Sequence, residues 1–323
     1  MPNTITPVRR KGQGAEHLAA MALRTGLSAL LRPSALAPAK PLAGQPPVVR
    51  AARRLNRASA VLAFSVLADS AVEHYRGSFR NRVMWLPLGV STAVLGVAAH
   101  GTADARPAIH RLRDAVYGLA ALTGLTGTGI HFWNVSKRVG GWSWHNFFYG
   151  APVGAPMALL LSGLLGLYSE RLRDAARAGA SLRSDPKVLG LPAGRALAAL
   201  AAAGLVGTIG EVGLMHFRGR FQNPAMYLPV AVPPVAALLL ADAALGKAHR
   251  RRWFTRLWVR FTALLGLAGV GFHIYGVSRA MGGWRNWRQN LVNGPPLPAP
   301  PSFTGLALAG LAALGLLDDH PDA

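Results

Sequence analysis

Eight runs of mostly apolar residues occupy positions 58–75, 83–100, 114–133, 151–168, 196–215, 225–245, 257–277 and 301–317. All but the short last one approach the roughly 20 residues that a helix needs to cross a bilayer. In hydrocarbon no water is available to bond backbone N–H and C=O groups, so such runs must satisfy them internally as helices. Apolar residues make up 51% of the chain and charged residues only 15%, with apolar runs too many and too long for a water-soluble core. The expected fold is an all-α integral membrane protein of about eight transmembrane helices. Pro87 and Pro229 stand near the starts of the second and sixth runs, where a missing N–H costs a helix least, whereas Pro233 and Pro234 lie deeper and should kink the sixth.

Residues 1–57 read as a basic arm, with ten Lys and Arg against one acid, Glu16. Leu18 to Leu31 has the pattern of a short amphipathic surface helix. Ala35-Leu-Ala37 imitates a signal-peptide cleavage site, but Arg24 interrupts the apolar region before it. Pro33, Pro38, Pro41, Pro46 and Pro47 mark an extended linker. A first four-helix region follows at 58–170, a linker at 171–195, a second four-helix region at 196–317 and a tail at 318–323.

The second feature is internal repetition. Residues 74–87 match residues 216–229 at 8 of 14 positions, and residues 129–142 match 271–284 at 7 of 14, both at an offset of 142. Two dense matches at one offset imply a duplication, a 4+4 bundle. An even number of spans per half makes both halves enter from the same side, as a parallel repeat.

Charge then orients the chain. Lys and Arg number 35 against 13 Asp and Glu, a net charge of +22. The basic residues sit in short segments between apolar runs, a placement that speaks for topology and anionic lipid and against nucleic acid. With the N-terminus inside, 25 of the 35 fall on the inner side and 10 on the outer. The positive-inside rule therefore places both termini in the cytoplasm and the protein in an inner or plasma membrane, with the lipid bilayer as its first partner. Cysteine is absent, which excludes disulfides, Fe–S clusters, thiolate haem ligation and cysteine nucleophiles.

The repeated residues that carry chemistry are histidines. His74 and His216 precede an Arg-Gly turn, while His131 and His273 follow glycine ladders, and all four fall at the outer ends of their helices. Gly124, Gly127 and His131 share one helix face, as do Gly266, Gly269 and His273, so a flat ligand would find no Cβ below the histidine. Two imidazoles at one depth can ligate haem b, and Arg76 and Arg218 can hold its propionates. The arrangement resembles the general plan of membrane b-type cytochromes, paired histidines on a helical bundle, as an analogy of layout without a shared motif. It implies electron transfer near the outer face, with a redox protein as partner. Pairing within each half and pairing across the halves are equally allowed.

Other readings stand beside it. Gly-x-x-Gly ladders also serve close helix packing, which would suit a structural subunit. Asp69 and Glu211 correspond under the offset and can line a proton or ion path, which would suit a transporter or metal-handling permease. A non-haem metal is a further alternative, although Asp69, five residues before His74, points away from it on a regular helix. His17, His100, His110, His145, His249 and His320 have no histidine counterpart and read as surface or interface residues. Trp142 and Trp284, with Trp144, Phe147, Phe148 and Tyr149 nearby, read as an interfacial aromatic belt. Phosphate-binding loops, dinucleotide fingerprints, His-Glu-x-x-His and nucleophile elbows are missing from the sequence, so kinase and hydrolase chemistry have no support.

Overall fold

The computed structural model describes residues 47–106, 110–150, 152–177, 187–188, 191–246 and 252–318. The surface helix expected at 18–31, nearly all of the Pro-rich linker, and the tail beyond 318 lie outside the described residues. Among the described residues ten α-helices follow in order: α1 (Pro47–Arg76), α2 (Leu86–Ala103), α3 (Arg111–Ser136), the short α4 (Trp144–Tyr149), α5 (Gly154–Arg177), α6 (Ala193–Arg218), α7 (Leu228–Ala244), α8 (Arg252–Arg279), the short α9 (Trp287–Asn293) and α10 (Pro301–Asp318). Among the described residues the only sheet is a two-residue antiparallel ribbon, Lys187–Val188 with Leu191–Pro192.

Each expected apolar run coincides with a long helix. Among the described residues six helices are long and apolar enough to cross a membrane: α1, α6, α8, α10, and α2 and α7 with the 3-10 turns that lead into them. α3 and α5 are also long, at 26 and 24 residues. Charges dilute them at one end, with Arg111, Arg113 and Asp114 opening α3 and Glu170, Arg171, Arg173 and Asp174 near the close of α5. Large side chains stand exposed along the bundle, including Leu122, Leu125, Leu238, Leu264 and Leu267. So broad an apolar exterior suits contact with lipid.

The basic arm is shorter than its composition suggests, because α1 begins at Pro47 rather than near 58. Arg50, Arg53, Arg54 and Arg57 dilute its apolarity. Val48, Ala51, Ala52, Leu55, Ala58 and Leu62 nonetheless recur at helical spacing and are buried. Proline at the first helical position loses no hydrogen bond. α7 continues as one helix through Pro233 and Pro234.

Helices α1, α2, α3 and α5 pack as a ring in which α1 and α3 lie diagonally opposite, and α6, α7, α8 and α10 form a second ring with α6 and α8 opposite. α10 packs along α1 as well as α6 and α8, and is the most enclosed of the six apolar helices. All four candidate histidines lie toward the ends where α1, α3, α6 and α8 finish, here called the histidine end; Arg50, Arg113, Arg173 and Arg256 lie toward the opposite, arginine end.

Candidate functional site

The turn after α1 and the turn after α6 are built alike. His74, Gly77 and Phe79 have their counterparts in His216, Gly219 and Phe221. Ser78 and Phe79 adopt φ of 57° and 46°, and Arg220 and Phe221 adopt 57° and 45°, a left-handed conformation uncommon without glycine. The reversal brings Phe79 N–H onto the carbonyl of His74 at 3.0 Å and Phe221 N–H onto that of His216 at 3.1 Å. Phe79 stacks on Trp85 and Phe221 on Tyr227, with ring centroids 4.1 and 4.5 Å apart. Asn81 and Asn223 then cap the 3-10 turns leading into α2 and α7.

This turn sets the ring of the histidine before it. His74 Nδ1 lies 2.6 Å from the backbone carbonyl of Met84, and His216 Nδ1 lies 2.7 Å from that of Met226. The other pair is held the same way by a different segment. His131 Nδ1 bonds the carbonyl of Pro152, and His273 Nδ1 bonds that of Pro296, the latter at 2.7 Å. A carbonyl oxygen only accepts, so in each ring Nδ1 carries the proton and Nε2 keeps its lone pair. Among the described residues no hydrogen bond reaches any of the four Nε2 atoms. His74 lies within electrostatic reach of His131, and His216 within reach of His273, so each pair belongs to one ring of helices.

The carbonyls of Pro152 and Pro296 are placed by a second repeated device, which an offset of 142 misses. Asn146 Nδ2 donates to the carbonyls of Val139 and Gly141 at 3.0 and 2.8 Å. Asn290 Nδ2 donates to those of Met281 and Gly283 at 3.2 and 2.8 Å. The offset has become 144. Asn146-x-x-x-Gly150-x-Pro152-x-x-Ala155-Pro156 recurs as Asn290-x-x-x-Gly294-x-Pro296-x-x-Ala299-Pro300, a signal readable once the two extra residues between Trp284 and Asn290 are allowed for.

The glycine ladders do not provide the flat opening expected below the histidines. A Cβ at Gly124 would sit 2.2 Å from the backbone nitrogen of Leu160, and one at Gly127 would sit 3.1 Å from Pro156. At Gly266 it would meet Thr304 Oγ1 at 2.4 Å, and at Gly269 it would meet Pro300 at 2.7 Å. The space beside these glycines is taken by α5 and α10, so they let neighbouring helices close on one another. Gly129 and Gly271, two residues before each histidine, are the open ones, with nothing within 4 Å.

The arginines and carboxylates divide differently. Arg76 is paired with Glu73 at 2.8 Å, whereas Arg218 lies over the ring of Tyr149 at 4.7 Å and near Met215, which replaces Glu73. Glu211 accepts the backbone N–H of Gly154 at 3.0 Å, where any side chain on residue 154 would collide with the carboxylate. Asp69 lies within electrostatic reach of both Glu73 and Glu211. Among the described residues, no group of three or more His, Asp or Glu side chains converges on a common ion. The short helices cross over: α4 packs on α6 and α9 on α1. Phe148 stacks on Phe217 at 5.7 Å, and Arg288 donates to the hydroxyl of Tyr75.

At the arginine end of the first ring lies a charged cluster that sequence reading passes over. Arg113 and Glu170 are both fully buried and bonded at 2.8 Å, and Arg113 also reaches Asp104 at 2.9 Å. Arg173 donates to the carbonyls of Gly101, Asp104 and Arg106. His100 Nδ1 lies 3.1 Å from Arg113, the backbone N–H of His110 donates to Glu170, and the two imidazoles meet edge to face. His100 and His110, both half-buried, therefore border this buried ion network and contact it. Burial works against the ionised form of Asp104, but hydrogen bonds from Arg106 and Arg113 outweigh it and hold the carboxyl well below the usual carboxylate range. Burial, then the charge of Arg113, hold the His110 imidazole below the usual histidine range. The second ring carries Gly246, Thr255, Leu314 and Leu317 at the positions of Asp104, Arg113, Glu170 and Arg173, so this cluster is not part of the repeated site.

No family model, curated protein or solved structure shows significant similarity to the chain. The fold itself defines a class: an all-helical protein with helices apolar enough to cross a membrane. Each of its two helical rings carries a pair of carbonyl-anchored histidines at the same end.

Proposed function

We propose that this protein is an integral membrane haem b protein, built by tandem duplication of a four-helix unit. One haem is held in each unit, by His74 with His131 and by His216 with His273. The observation that carries the reading is the fourfold repetition of one hydrogen bond, from Nδ1 to a backbone carbonyl. That bond fixes the tautomer, orients the ring and raises the basicity of Nε2, the arrangement that metal-ligating histidines use. Only two ligands are needed from the protein by an iron already held in a macrocycle, so a convergent third acid or histidine is not required. The iron would supply a one-electron couple when bound. The chain's own residues set ring orientation, and the exposed Arg218, together with Arg76 once released from Glu73, supplies cations for propionates.

In this reading all eight long helices span the bilayer, α3 and α5 being carried across by their antiparallel neighbours. The excess of basic residues at the arginine end supports a cytoplasmic side for both termini, with the haems near the outer face of an inner or plasma membrane. Haems at a single depth suit exchange of electrons with a redox partner on that face better than a complete path across the bilayer.

The test is the absorbance spectrum of protein purified with haem supplied. A Soret band and a sharp reduced α-band are expected, both lost in the combined His131→Ala and His273→Ala variant and kept in His145→Ala. A colourless preparation overturns the reading. The proximity of Asp69 and Glu211 favours a second reading, a transporter with its pathway between the units. It requires flux in liposomes that Asp69→Asn and Glu211→Gln abolish.

A further inference from the structure

We infer that the arginine end carries a binding site for the phosphate of an anionic phospholipid, between α1, α8 and α10. A cavity of about 340 Å³ opens there, lined by Arg50, Arg54, Arg256, Arg260, Gly315 and Asp318. Its volume falls in the range of small-ligand sites. The site is independent of the haem reading and shares with it only the placement in a membrane.

Three observations converge. First, the arginines are arrayed by helix geometry. Arg50, Arg54 and Arg57 fall at i, i+4 and i+7 on α1, and Arg252, Arg256 and Arg260 at i, i+4 and i+8 on α8, so each set shares a face. The two faces meet over the end of α10. Second, among the described residues the cavity gathers four arginines around one carboxylate, Asp318. Asp318 pairs with Arg252 at 3.0 Å and with Arg256, and Arg54 donates to the carbonyl of Leu311 at 2.9 Å. Arg50, Arg57, Arg256 and Arg260 all lie within electrostatic reach of Arg54. Like charges gathered in a cavity at a membrane boundary raise its potential, and a phosphate lowers it. Third, an apolar track leads from the arginines toward the middle of the helices. Leu264 and Leu267 continue the face of Arg260 and are 60% and 59% exposed, and Phe64, seven residues beyond Arg57 on α1, is 55% exposed. Phosphate at the arginines would lay acyl chains along these side chains. That continuity distinguishes a lipid from a free anion.

The cavity is also not inherited from the repeat. Pro192 and Ala196 stand on α6 and its approach where α1 has Arg50 and Arg54, and Asp114 and Gly118 stand on α3 where α8 has Arg256 and Arg260. A site assembled once, from one helix of each ring, belongs to the joined protein and not to either half.

The full chain, in nanodiscs of phosphatidylcholine doped with phosphatidylglycerol, is extracted in mild detergent and weighed by native mass spectrometry. The absorbance spectrum of each sample reports the haem reading separately. Retained phosphatidylglycerol is expected in the wild-type protein, falling about fivefold for each arginine removed in Arg54→Gln and Arg260→Gln. Arg279→Gln with Arg285→Gln, at the histidine end, should change nothing and control for total charge. Unselective retention of phosphatidylcholine, or unchanged phosphatidylglycerol in monodisperse Arg54→Gln/Arg260→Gln protein, overturns the inference. So does equal thermal stabilisation by inorganic phosphate alone, which would assign the cavity to a free anion.

Discussion

The imidazole of His74 is tied through Nδ1 to the backbone carbonyl of Met84 at 2.6 Å, a bond reproduced between His216 and Met226 at 2.7 Å. Each bond spans ten residues and depends on a turn with two non-glycine residues in the left-handed region. Strain of that kind persists only where the surroundings over-determine it. Here stacking of Phe79 on Trp85 and of Phe221 on Tyr227 does so. The consequence is a lone pair on Nε2 with a fixed direction.

If haem is bound as proposed, pairing within each ring has a distinctive signature. His74→Ala with His131→Ala should remove ligands from one ring only and leave half the haem. His74→Ala with His273→Ala should strike both rings and leave none. Pairing His74 with His273 and His216 with His131 would exchange the two results, and pairing His74 with His216 and His131 with His273 would leave no haem in either variant. The haem-to-protein ratio of the two double variants, by pyridine haemochrome assay, decides between them.

The glycines can be sorted by the same kind of contrast. Gly124→Ala and Gly266→Ala place a methyl against the backbone of α5 or α10. Each should cost about 1–3 kcal/mol by forcing packed helices apart. Gly129→Ala and Gly271→Ala meet nothing within 4 Å and should change stability by less than about 0.5 kcal/mol. Thermal unfolding in detergent measures the difference. Equal effects from both pairs would contradict the packing role assigned to Gly124 and Gly266.

How much of this is legible in sequence depends on what each feature rests on. Helices rest on apolarity, and every long helix announces itself except where arginines on the first turns of α1 and α8 hide its start. The histidine turns rest on contiguous residues, so one offset of 142 finds both. The Asn146 and Asn290 loops rest on equivalent residues at an offset of 144, and two extra residues before Asn290 conceal them. The role of Gly124 cannot be read from spacing, because an absent Cβ suits a cofactor and a neighbouring helix equally well. The Arg113 cluster is assembled from α2, α3 and α5 and their connecting segment, and no local pattern joins Asp104 to Glu170.

That cluster can be tested against the second ring, which fills the same positions with Thr255, Leu314 and Leu317. Glu170→Gln alone leaves Arg113 and Arg173 buried with less opposing charge and should cost about 3–5 kcal/mol. Arg113→Thr, Glu170→Leu and Arg173→Leu together remove the charges as a set and leave Asp104 with Arg106. Replacing a whole buried ion cluster by apolar residues is often neutral, so the triple variant should be more stable than Glu170→Gln. The opposite order of unfolding temperatures would mean that the charges do more than satisfy one another.

The same cluster makes stability depend on pH with a definite sign. His110 faces Arg113, Glu170, Asp104 and Arg106, and its folded-state affinity for a proton is below the usual histidine value. The unfolded chain therefore takes up this proton first as pH falls through about 6.5, and the folded state loses stability from there downward. Asp104, held below the usual carboxylate range, acts in the same direction at lower pH. Its contribution is complete above about pH 4 and is lost progressively below that value. Unfolding temperature should thus decline from pH 7.5 to 5 and more steeply below about 4. His110→Gln should flatten the upper part of that decline, and Asp104→Asn the lower part at the expense of stability throughout. A profile in which neither variant changes the slope would show that other groups govern the acid sensitivity of the arginine end.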